Sequence, residues 1–531
     1  MKKRSYGLYM LLIFLLGMAS WSMARTSTEK AYLEAANQQG AYKLTVTSSR
    51  GMIYDRDKEP LVNREEKTVA AVAPSVEILA QLNASATAEE RKIFASYLES
   101  GKPFLYTVGA ETEYENIDVF NITSRYTENQ IAPHIIGYTD STGNGVSGIE
   151  LAMNDVLMRN YGEIAVYYQT DALGRVIPGA SREIVDTTER SKAGVVLTLD
   201  GMIQNRAEIL AEKLGKGSII VTEVPNNEIR GLASVPDYSP VTLGEVMNRE
   251  DSPLVNRALS AYSPGSVFKL AVAAQAIESG LDGFIFNCKG FATVNGMNFH
   301  CFNNIAHGKV DLLGAIENSC NAYFIHLGER IGASPLLSMT SNLGFGKSLT
   351  LAEGLTAAQG NLPTTEELQN ERAFANFSFG QGSVTVTPLQ VAAMVNTIAS
   401  GGEYAQPKLI EGVVNDSLDF IDSYVSEVSK VRIMQTQTAE KLQEAMEQVV
   451  ESGTGERGKP KRLKAGAKTG TAQTGIYEEG EEKNHYWYAG YVCDDTEPRY
   501  VIVIMRESVV DDKGLTASLF KEMADYLETQ I

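Results

Sequence analysis

Three short motifs in this chain combine serine, lysine and small polar residues at spacings that suit acyl transfer through a serine. They are Ser266-Val267-Phe268-Lys269, Ser319-Cys320-Asn321 and Lys468-Thr469-Gly470. A serine hydroxyl is a weak nucleophile, and a lysine three residues further along one helix face can act as its base. The first motif therefore predicts a serine nucleophile with a lysine base beside it.

The first motif is predicted to open a helix. Residues Val267 to Ser279 have helix-forming composition, and Gly280 is suited to end the helix. Pro264-Gly265 prevents the helix from starting earlier, so Ser266 is expected at or near the first turn. Free N–H groups there favour a developing oxyanion. Apolar neighbours are expected to lower the pKa of Lys269 enough for it to act as a base.

The other two motifs are predicted on a turn and on a strand. Residues 319–321 lie between helical runs at 312–317 and 322–330, so we expect a tight connection with both polar side chains in a cleft. Lys468-Thr469-Gly470 lies in a segment without bulky side chains, where another backbone can approach closely. A substrate peptide can add there as an extra strand.

Taken together, the motifs resemble those of penicillin-recognising acyl-serine enzymes. Tyr262-Ser263-Pro264-Gly265 before the nucleophile and Thr471-Ala472 after the third motif extend the match. Segments 50–56 and 147–150 resemble motifs of a non-catalytic pedestal domain. The chain is identified as a member of the class B penicillin-binding proteins. This resemblance implies a D,D-transpeptidase that cross-links peptidoglycan stem peptides ending in D-Ala-D-Ala and that β-lactams acylate.

The resemblance also implies residue roles. Ser266 is the nucleophile and Lys269 its base, Ser319 relays a proton, the Asn321 amide binds the peptide, and Lys468 binds its terminal carboxylate and tunes the relay. The residues expected to bind substrate are Thr469, Gly470, Thr471 and Gln381. The N–H groups of residues 266 and 471 are expected to form the oxyanion hole. Neither a metal nor an organic cofactor is expected.

Two alternatives to transpeptidation remain at this point. A D,D-carboxypeptidase would form the same acyl-enzyme and use water as the acceptor. A catalytically idle β-lactam sensor, or a scaffold of the division machinery, would keep the serine only as a site of acylation. Neither alternative changes the predicted site residues.

Length and charge set the predicted organisation. A chain of 531 residues is expected to form two or three domains. We predict an anchor at 1–24, a β-rich α+β pedestal or dimerisation domain at 25–200, without long amphipathic helices up to about residue 190, and an α/β transpeptidase domain at 201–531. The last should hold a five-stranded antiparallel sheet flanked by helices. A net charge of −19 argues against a nucleic-acid partner.

The N-terminus predicts export from the cytoplasm. Met1-Lys2-Lys3-Arg4 precedes a largely apolar run from Ser5 to Ala24, which is long enough to span a bilayer with the basic end inside. We favour a single-pass anchor in the cell membrane with an extracytoplasmic catalytic domain. The alternative is a signal peptide cleaved after Ser22-Met23-Ala24. The resemblance further implies a SEDS-type glycosyltransferase as partner.

Four cysteines are few for an exported chain, so disulfides are not expected to carry its stability. Cys301 and Cys320 could pair and distort the second motif, which would make activity depend on redox state. A Cys288–Cys301 bridge is the competing, structural pairing, and free thiols are the third possibility. A zinc site is not expected, because no C-x-x-C pair is present.

Overall fold

The computed structural model describes residues 2–28, 41–84, 86–109, 117–423, 429–494 and 497–530. The chain divides into two compact units. The first unit comprises Met1–Arg50, Arg64–Arg125 and Asn160–Ser191. The second unit comprises Gly51–Asn63, Tyr126–Arg159 and Lys192–Ile531.

The strands of the described residues are, in chain order, β1 Ala41–Ser49, β2 Met52–Tyr54, β3 Glu65–Val72, β4 Phe104–Thr107, β5 Asp118–Ser124, β6 Gly162–Gln169, β7 Arg182–Asp186, β8 Gly194–Leu197, β9 Gly217–Glu223, β10 Glu228–Val235, β11 Phe286–Cys288, β12 Phe291–Val294, β13 Met297–His300, β14 Gly308–Val310, β15 Leu349–Ala352, β16 Leu355–Ala357, β17 Glu403–Ala405, β18 Ile410–Val414, β19 Phe420–Ser423, β20 Lys430–Arg432, β21 Ala465–Glu478, β22 Glu481–Cys493 and β23 Pro498–Val509.

The α-helices are α1 Lys2–Thr28, α2 Val76–Asn83, α3 Ala88–Ser100, α4 Pro133–Ile136, α5 Gly148–Ala152, α6 Asn154–Arg159, α7 Gly201–Glu212, α8 Leu243–Val246, α9 Lys269–Glu278, α10 Leu312–Glu317, α11 Asn321–Ile331, α12 Ala333–Asn342, α13 Glu371–Ser378, α14 Pro388–Ala399, α15 Thr436–Glu451 and α16 Leu515–Leu527. Short 3₁₀ helices occur at Thr188–Lys192, Pro240–Thr242, Gly265–Phe268, Phe302–Asn304, Glu367–Gln369 and Glu456–Gly458.

The first unit contains two three-stranded antiparallel sheets, as its β-rich sequence predicts. Their strand orders are β1-β6-β7 and β4-β3-β5. The sequence pattern predicts a strand at 67–73, and most of that run lies in β3, which ends at Val72. The expectation that this region lacks long helices is wrong for α3, which packs Phe94 into the core. A reciprocal capping box between Thr87 and Glu90 fixes the start of α3.

The second unit is built around the predicted five-stranded antiparallel sheet. Its strand order is β10-β9-β23-β22-β21, which leaves β21 at one edge. Alternate residues of β23 pack on opposite faces. Ile502 and Ile504 pack with α7 and α16, whereas Val501 and Val503 belong to the larger core that contains α9 and α14. Helices therefore cover both faces of the sheet.

The second unit also contains a four-stranded sheet that includes two strands from the first 200 residues. Its order is β19-β18-β8-β2, in which β8 pairs with β18 antiparallel and with β2 parallel. The Asp55 carboxylate after β2 accepts a 3.1 Å hydrogen bond from the Gly201 N–H at the start of α7. The observed division of the chain therefore differs from the predicted single boundary at residue 200.

The apolar N-terminal segment forms α1, the longest helix in the described part of the chain. Between Tyr9 and Met23 its large apolar side chains are exposed. Among the described residues, no helix combines the length and the hydropathy needed to cross a bilayer.

Candidate active site

The predicted nucleophile lies on a 3₁₀ turn directly before a helix. Gly265–Phe268 forms this turn, and α9 continues from Lys269. Gly265 has φ +54°, a left-handed conformation that glycine adopts without strain. The sequence predicted an α-helix from Val267, whereas the first residues are wound more tightly. The result is the predicted pairing, with Lys269 Nζ 3.0 Å from Ser266 Oγ.

Lys269 joins the first two motifs. Its Nζ lies 3.2 Å from Ser319 Oγ, 2.8 Å from the Ser319 carbonyl oxygen and 2.6 Å from Asn321 Oδ1. The side chain is fully buried. Burial lowers the pKa of Lys269 to about 7, against the opposing effect of the Cys320 and Cys301 thiols. A substantial fraction of this amine is therefore neutral near pH 7 and able to accept a proton.

The second motif forms the predicted tight connection, between α10 and α11. Ser319 adopts φ +52°, which is uncommon outside glycine and turns its hydroxyl toward Lys269. Asn321 begins α11, where its Oδ1 accepts from Lys269 and its Nδ2 donates to the His300 carbonyl oxygen at 2.8 Å. The asparagine thus positions the lysine, and its amide nitrogen carries a second N–H besides the one donated to His300.

The third motif lies on the edge strand β21. Lys468 is fully buried, and its Nζ donates to the Thr469 carbonyl oxygen at 3.0 Å. Burial, followed by the nearby charge of Lys269, lowers the pKa of Lys468 well below its usual value. This lowered pKa favours a role of Lys468 in proton transfer over the carboxylate binding expected from the resemblance.

Thr454 was not predicted from the sequence to be a site residue. Its hydroxyl lies 2.8 Å from that of Thr469, and its N–H donates to the Glu317 carbonyl oxygen at 3.3 Å. It therefore orients Thr469 at the cleft and connects β21 to α10. The Gly453-Thr454-Gly455 run gave no signal beyond that of a loop.

Glycines allow the turn at 265–268, the loop at 380–381 and strand β21 to approach one another. A β-carbon at Gly265 would lie 2.4 Å from the Thr471 carbonyl oxygen, and one at Gly380 would lie 2.0 Å from the Gly265 carbonyl oxygen. Gln381 Nε2 donates to that same Thr471 carbonyl at 3.3 Å. Gly470 packs closely on Pro264. The structure thus brings all nine sequence-predicted site residues into one site.

The cysteines near the second motif are free and buried. Cys301 Sγ lies 3.7 Å from Cys288 Sγ and 3.9 Å from Cys320 Sγ, so it is close to both predicted disulfide partners and bonded to neither. Cys288 Sγ is also 3.5 Å from His307 Nδ1. Sequence reasoning missed this histidine.

The comparison with protein families identifies the catalytic unit. Residues 217–525, more than half of the chain, match the penicillin binding protein transpeptidase domain. The chain belongs to the penicillin-binding protein transpeptidase family. The resemblance inferred from the three motifs is therefore confirmed.

Named relatives agree with this assignment. The chain is 29% identical to stage V sporulation protein D of Bacillus subtilis over 70% of its own length and 58% of that protein. It is 25% identical to peptidoglycan D,D-transpeptidase FtsI of Escherichia coli over 93% of its length and 84% of that protein. The first of these matches thus spans less than two thirds of its relative.

A solved structure shows the same fold. Penicillin-binding protein 3 of Mycobacterium tuberculosis, in complex with aztreonam, superposes with a TM-score of 0.65. The identity is 22%, and the match covers 92% of this chain and 97% of that one. At this identity, the likeness shows the shared fold alone.

Proposed function

We propose that this protein is a serine D,D-transpeptidase that cross-links peptidoglycan stem peptides and is acylated by β-lactams. The observation that carries the proposal is the buried amine of Lys269, which contacts both Ser266 Oγ and Ser319 Oγ. A lowered pKa makes this amine a base near neutral pH. The family membership and the names of the relatives support the same activity.

In the proposed acylation, Ser266 Oγ attacks the carbonyl carbon of the penultimate D-alanine. Lys269 Nζ takes the hydroxyl proton, and the N–H groups of Ser266 and Thr471 stabilise the oxyanion. Ser319 then passes a proton to the departing D-alanine amine as the C–N bond breaks. The product is an ester between Ser266 and the donor peptide.

In the second half-reaction, the amine of a neighbouring stem peptide attacks this ester. Ser319 and Lys269 accept its proton and return one to Ser266 Oγ as the ester breaks, which restores the free enzyme. The donor peptide adds along the open edge of β21, where main-chain hydrogen bonds would align it. Thr469 and Gln381 border this edge through their contacts with Thr454 and Thr471.

Product analysis tests the proposal against its two rivals. The purified full chain is incubated with a pentapeptide ending in D-Ala-D-Ala and an amine acceptor, and the products are separated by mass. We expect cross-linked product together with released D-alanine. Released D-alanine without cross-link would indicate a carboxypeptidase, and penicillin binding without turnover of any peptide would indicate a sensor or scaffold.

The proposal includes attachment to the cell membrane through α1, with the catalytic unit outside the cytoplasm. The exposed apolar side chains of α1 support this, because they have no other cover in the described structure. Washing membranes with alkaline carbonate should leave the full chain in the pellet, and a chain lacking residues 2–28 should be released. Release of the full chain would contradict the attachment.

A SEDS-type glycosyltransferase is the proposed partner, because a transpeptidase needs newly made glycan strands. Co-purification of the full chain with such a polymerase from detergent-solubilised membranes tests this. Loss of the complex on removal of residues 2–28 would place the contact at α1. Absence of the polymerase from preparations of the full chain would contradict the partnership.

A further inference from the structure

Four side chains converge in a cluster next to the second motif. Cys288, Cys301, His307 and Cys320 each offer one ligand atom, and these atoms all lie within 4.8 Å of one another. The three cysteines are buried and the histidine is half-buried. Thiolate sulfur and imidazole nitrogen are the ligands that zinc prefers in structural sites.

Three of the six distances within the cluster match the edges of a zinc tetrahedron, and all six are within 4.8 Å. Zinc binds thiolate sulfur at about 2.3 Å and imidazole nitrogen at about 2.0–2.1 Å. In a tetrahedron with these bond lengths, two sulfurs are about 3.8 Å apart, and a sulfur and a nitrogen are about 3.6 Å apart. The sulfur of Cys301 lies 3.7 Å from that of Cys288 and 3.9 Å from that of Cys320. The sulfur of Cys288 lies 3.5 Å from His307 Nδ1.

We propose that Cys288, Cys301, His307 and Cys320 bind one zinc ion in a closed structural site. The three thiols release their protons on binding, so the metal and its ligands carry a net charge of about −1. Four protein ligands leave no open position for water, which separates this site from a hydrolytic zinc centre.

The ligands come from separate elements that zinc would join. Cys288 ends β11, Cys301 follows β13, His307 precedes β14, and Cys320 lies directly before α11. The Gly290 N–H donates to Cys288 Sγ at 3.3 Å, a hydrogen bond that stabilises a thiolate. The spacing Cys288-x12-Cys301-x5-His307-x12-Cys320 lacks a C-x-x-C pair, because the fold and not a single turn assembles the site.

A disulfide explains the observed arrangement of the four side chains less well than a zinc ion does. Bonded sulfurs lie about 2.05 Å apart, so either pairing would require Cys301 to move toward one partner. Each pairing would also leave one thiol and the His307 imidazole without a role in the cluster. Zinc binding uses all four groups in place.

Metal content of the purified full chain tests the site. Elemental analysis should find about one zinc per chain. Cys288→Ser and His307→Ala should lose most of it, whereas Cys493→Ser and His326→Ala, which alter a cysteine and a histidine outside the cluster, should keep it. Circular dichroism of each variant shows whether it folds.

A second measurement does not depend on any variant. After chelation, cobalt(II) added to the wild-type chain should give the intense visible bands of a tetrahedral site and a sulfur-to-cobalt charge-transfer band in the near ultraviolet. Three outcomes would overturn the proposal. They are a zinc-free chain with free thiols and no such bands, an intact mass lower by about 2 Da from a disulfide, or full zinc content in both cluster variants.

Zinc should also influence acylation, because Cys320 lies between Ser319 and Asn321. This consequence rests on the proposed function. Chelation should slow penicillin labelling at least tenfold, and zinc should restore it. A chain that holds zinc and never reacts with penicillin would overturn the proposed function and leave the zinc site standing.

Discussion

The chemistry proposed for this protein depends on the protonation state of one buried amine. Two effects oppose each other at Lys269: burial disfavours its charged form, whereas the Cys320 and Cys301 thiols favour it. Burial is the larger effect, and the pKa falls to about 7 from an ordinary value near 10.5. The amine can therefore remove the Ser266 proton at neutral pH without an external base.

The pH dependence of acylation follows from this pKa. Protonation removes the base, so the acylation rate should fall as pH decreases through about 7 and level off above it. One unit below the pKa, the rate should be about tenfold lower than its plateau. Stopped-flow measurement with a fluorescent penicillin from about pH 5 to pH 9 gives the profile.

Lys269→Ala is the matched control for this profile. Its acylation should be slower by roughly 10²–10⁴-fold, and the residual rate should not change near pH 7. A wild-type rate that stays constant across the range, or that rises on acidification, would show that Lys269 is not the base.

At the residue scale, spacing predicted the Ser266–Lys269 pair, because positions i and i+3 share a helix face. The contact of Ser319 with Lys269 is non-local, and only the order of the motifs indicated it. Neither Thr454 nor His307 could be predicted, since each acquires its partner through folding. The sequence argued against a zinc site, because the four proposed ligands come together only in the folded chain.

At the scale of elements, the nucleophile turn is held by close backbone contacts. Gly265 has no side chain and lies against Thr471 of β21, and Gly380 lies against Gly265 in turn. Gly265 and Gly380 have positive φ. The position of Ser266 in the cleft thus depends on the absence of a β-carbon at Gly265 and at Gly380, in addition to hydrogen bonds.

Gly265→Ala should therefore impair acylation far more than a matched glycine at the other end of the same helix. A methyl group at residue 265 would meet the Thr471 carbonyl oxygen and displace Ser266. Gly280 also has positive φ (+69°) but open space around it, so Gly280→Ala should cost only about 1 kcal/mol of stability.

Penicillin labelling rates and thermal unfolding of both variants give the comparison. We expect at least a hundredfold loss of acylation rate in Gly265→Ala and a near wild-type rate in Gly280→Ala. Equal rates in the two folded variants would mean that close packing of the turn on β21 does not position the nucleophile.

Hydrophobic patterns predicted strands of the central sheet well. Side chains of these strands point alternately to the two faces of the sheet, and both faces are buried, so the strands are rich in apolar residues. The sequence pattern predicts strands at 218–223 and 228–233 and a C-terminal helix at 517–527, and these segments lie within β9, β10 and α16. The 3₁₀ turn at Ser266 was not predictable from composition. Helix α3 carried a capping-box signal, Thr87 with Glu90, that its polar composition obscured.

At the scale of the whole molecule, the catalytic unit is assembled from three separate stretches of chain. Strand β8 pairs with β18, which lies more than 200 residues later, and β2 then pairs with β8. Val195, Val196 and Leu197 of β8 are fully buried. A boundary read from composition changes along the chain could not show this pairing.

Truncation at the predicted boundary should therefore destabilise the catalytic unit. A fragment 201–531 lacks the three fully buried side chains of β8. Burying each one contributes about 1.5–3 kcal/mol. Together they make up a large part of the free energy of unfolding of a domain, which is about 5–15 kcal/mol. A fragment 192–531 keeps β8 and should unfold at a higher temperature. The full chain should be the most stable of the three.

Thermal unfolding followed by circular dichroism ranks the three proteins. Penicillin labelling of each reports whether the site is formed. If fragment 201–531 matches the full chain in both measurements, the four-stranded sheet contributes little to the catalytic unit and the compositional boundary is adequate.

The central claim is that Ser266 is the acylated nucleophile, and mass spectrometry tests it most directly. The full chain is incubated with penicillin, its intact mass is measured, and the modified peptide is sequenced. We predict a single adduct on Ser266, and no adduct in Ser266→Ala, which loses one oxygen and should keep the fold. An adduct on another residue, or labelling of a folded Ser266→Ala at the wild-type rate, would contradict the claim.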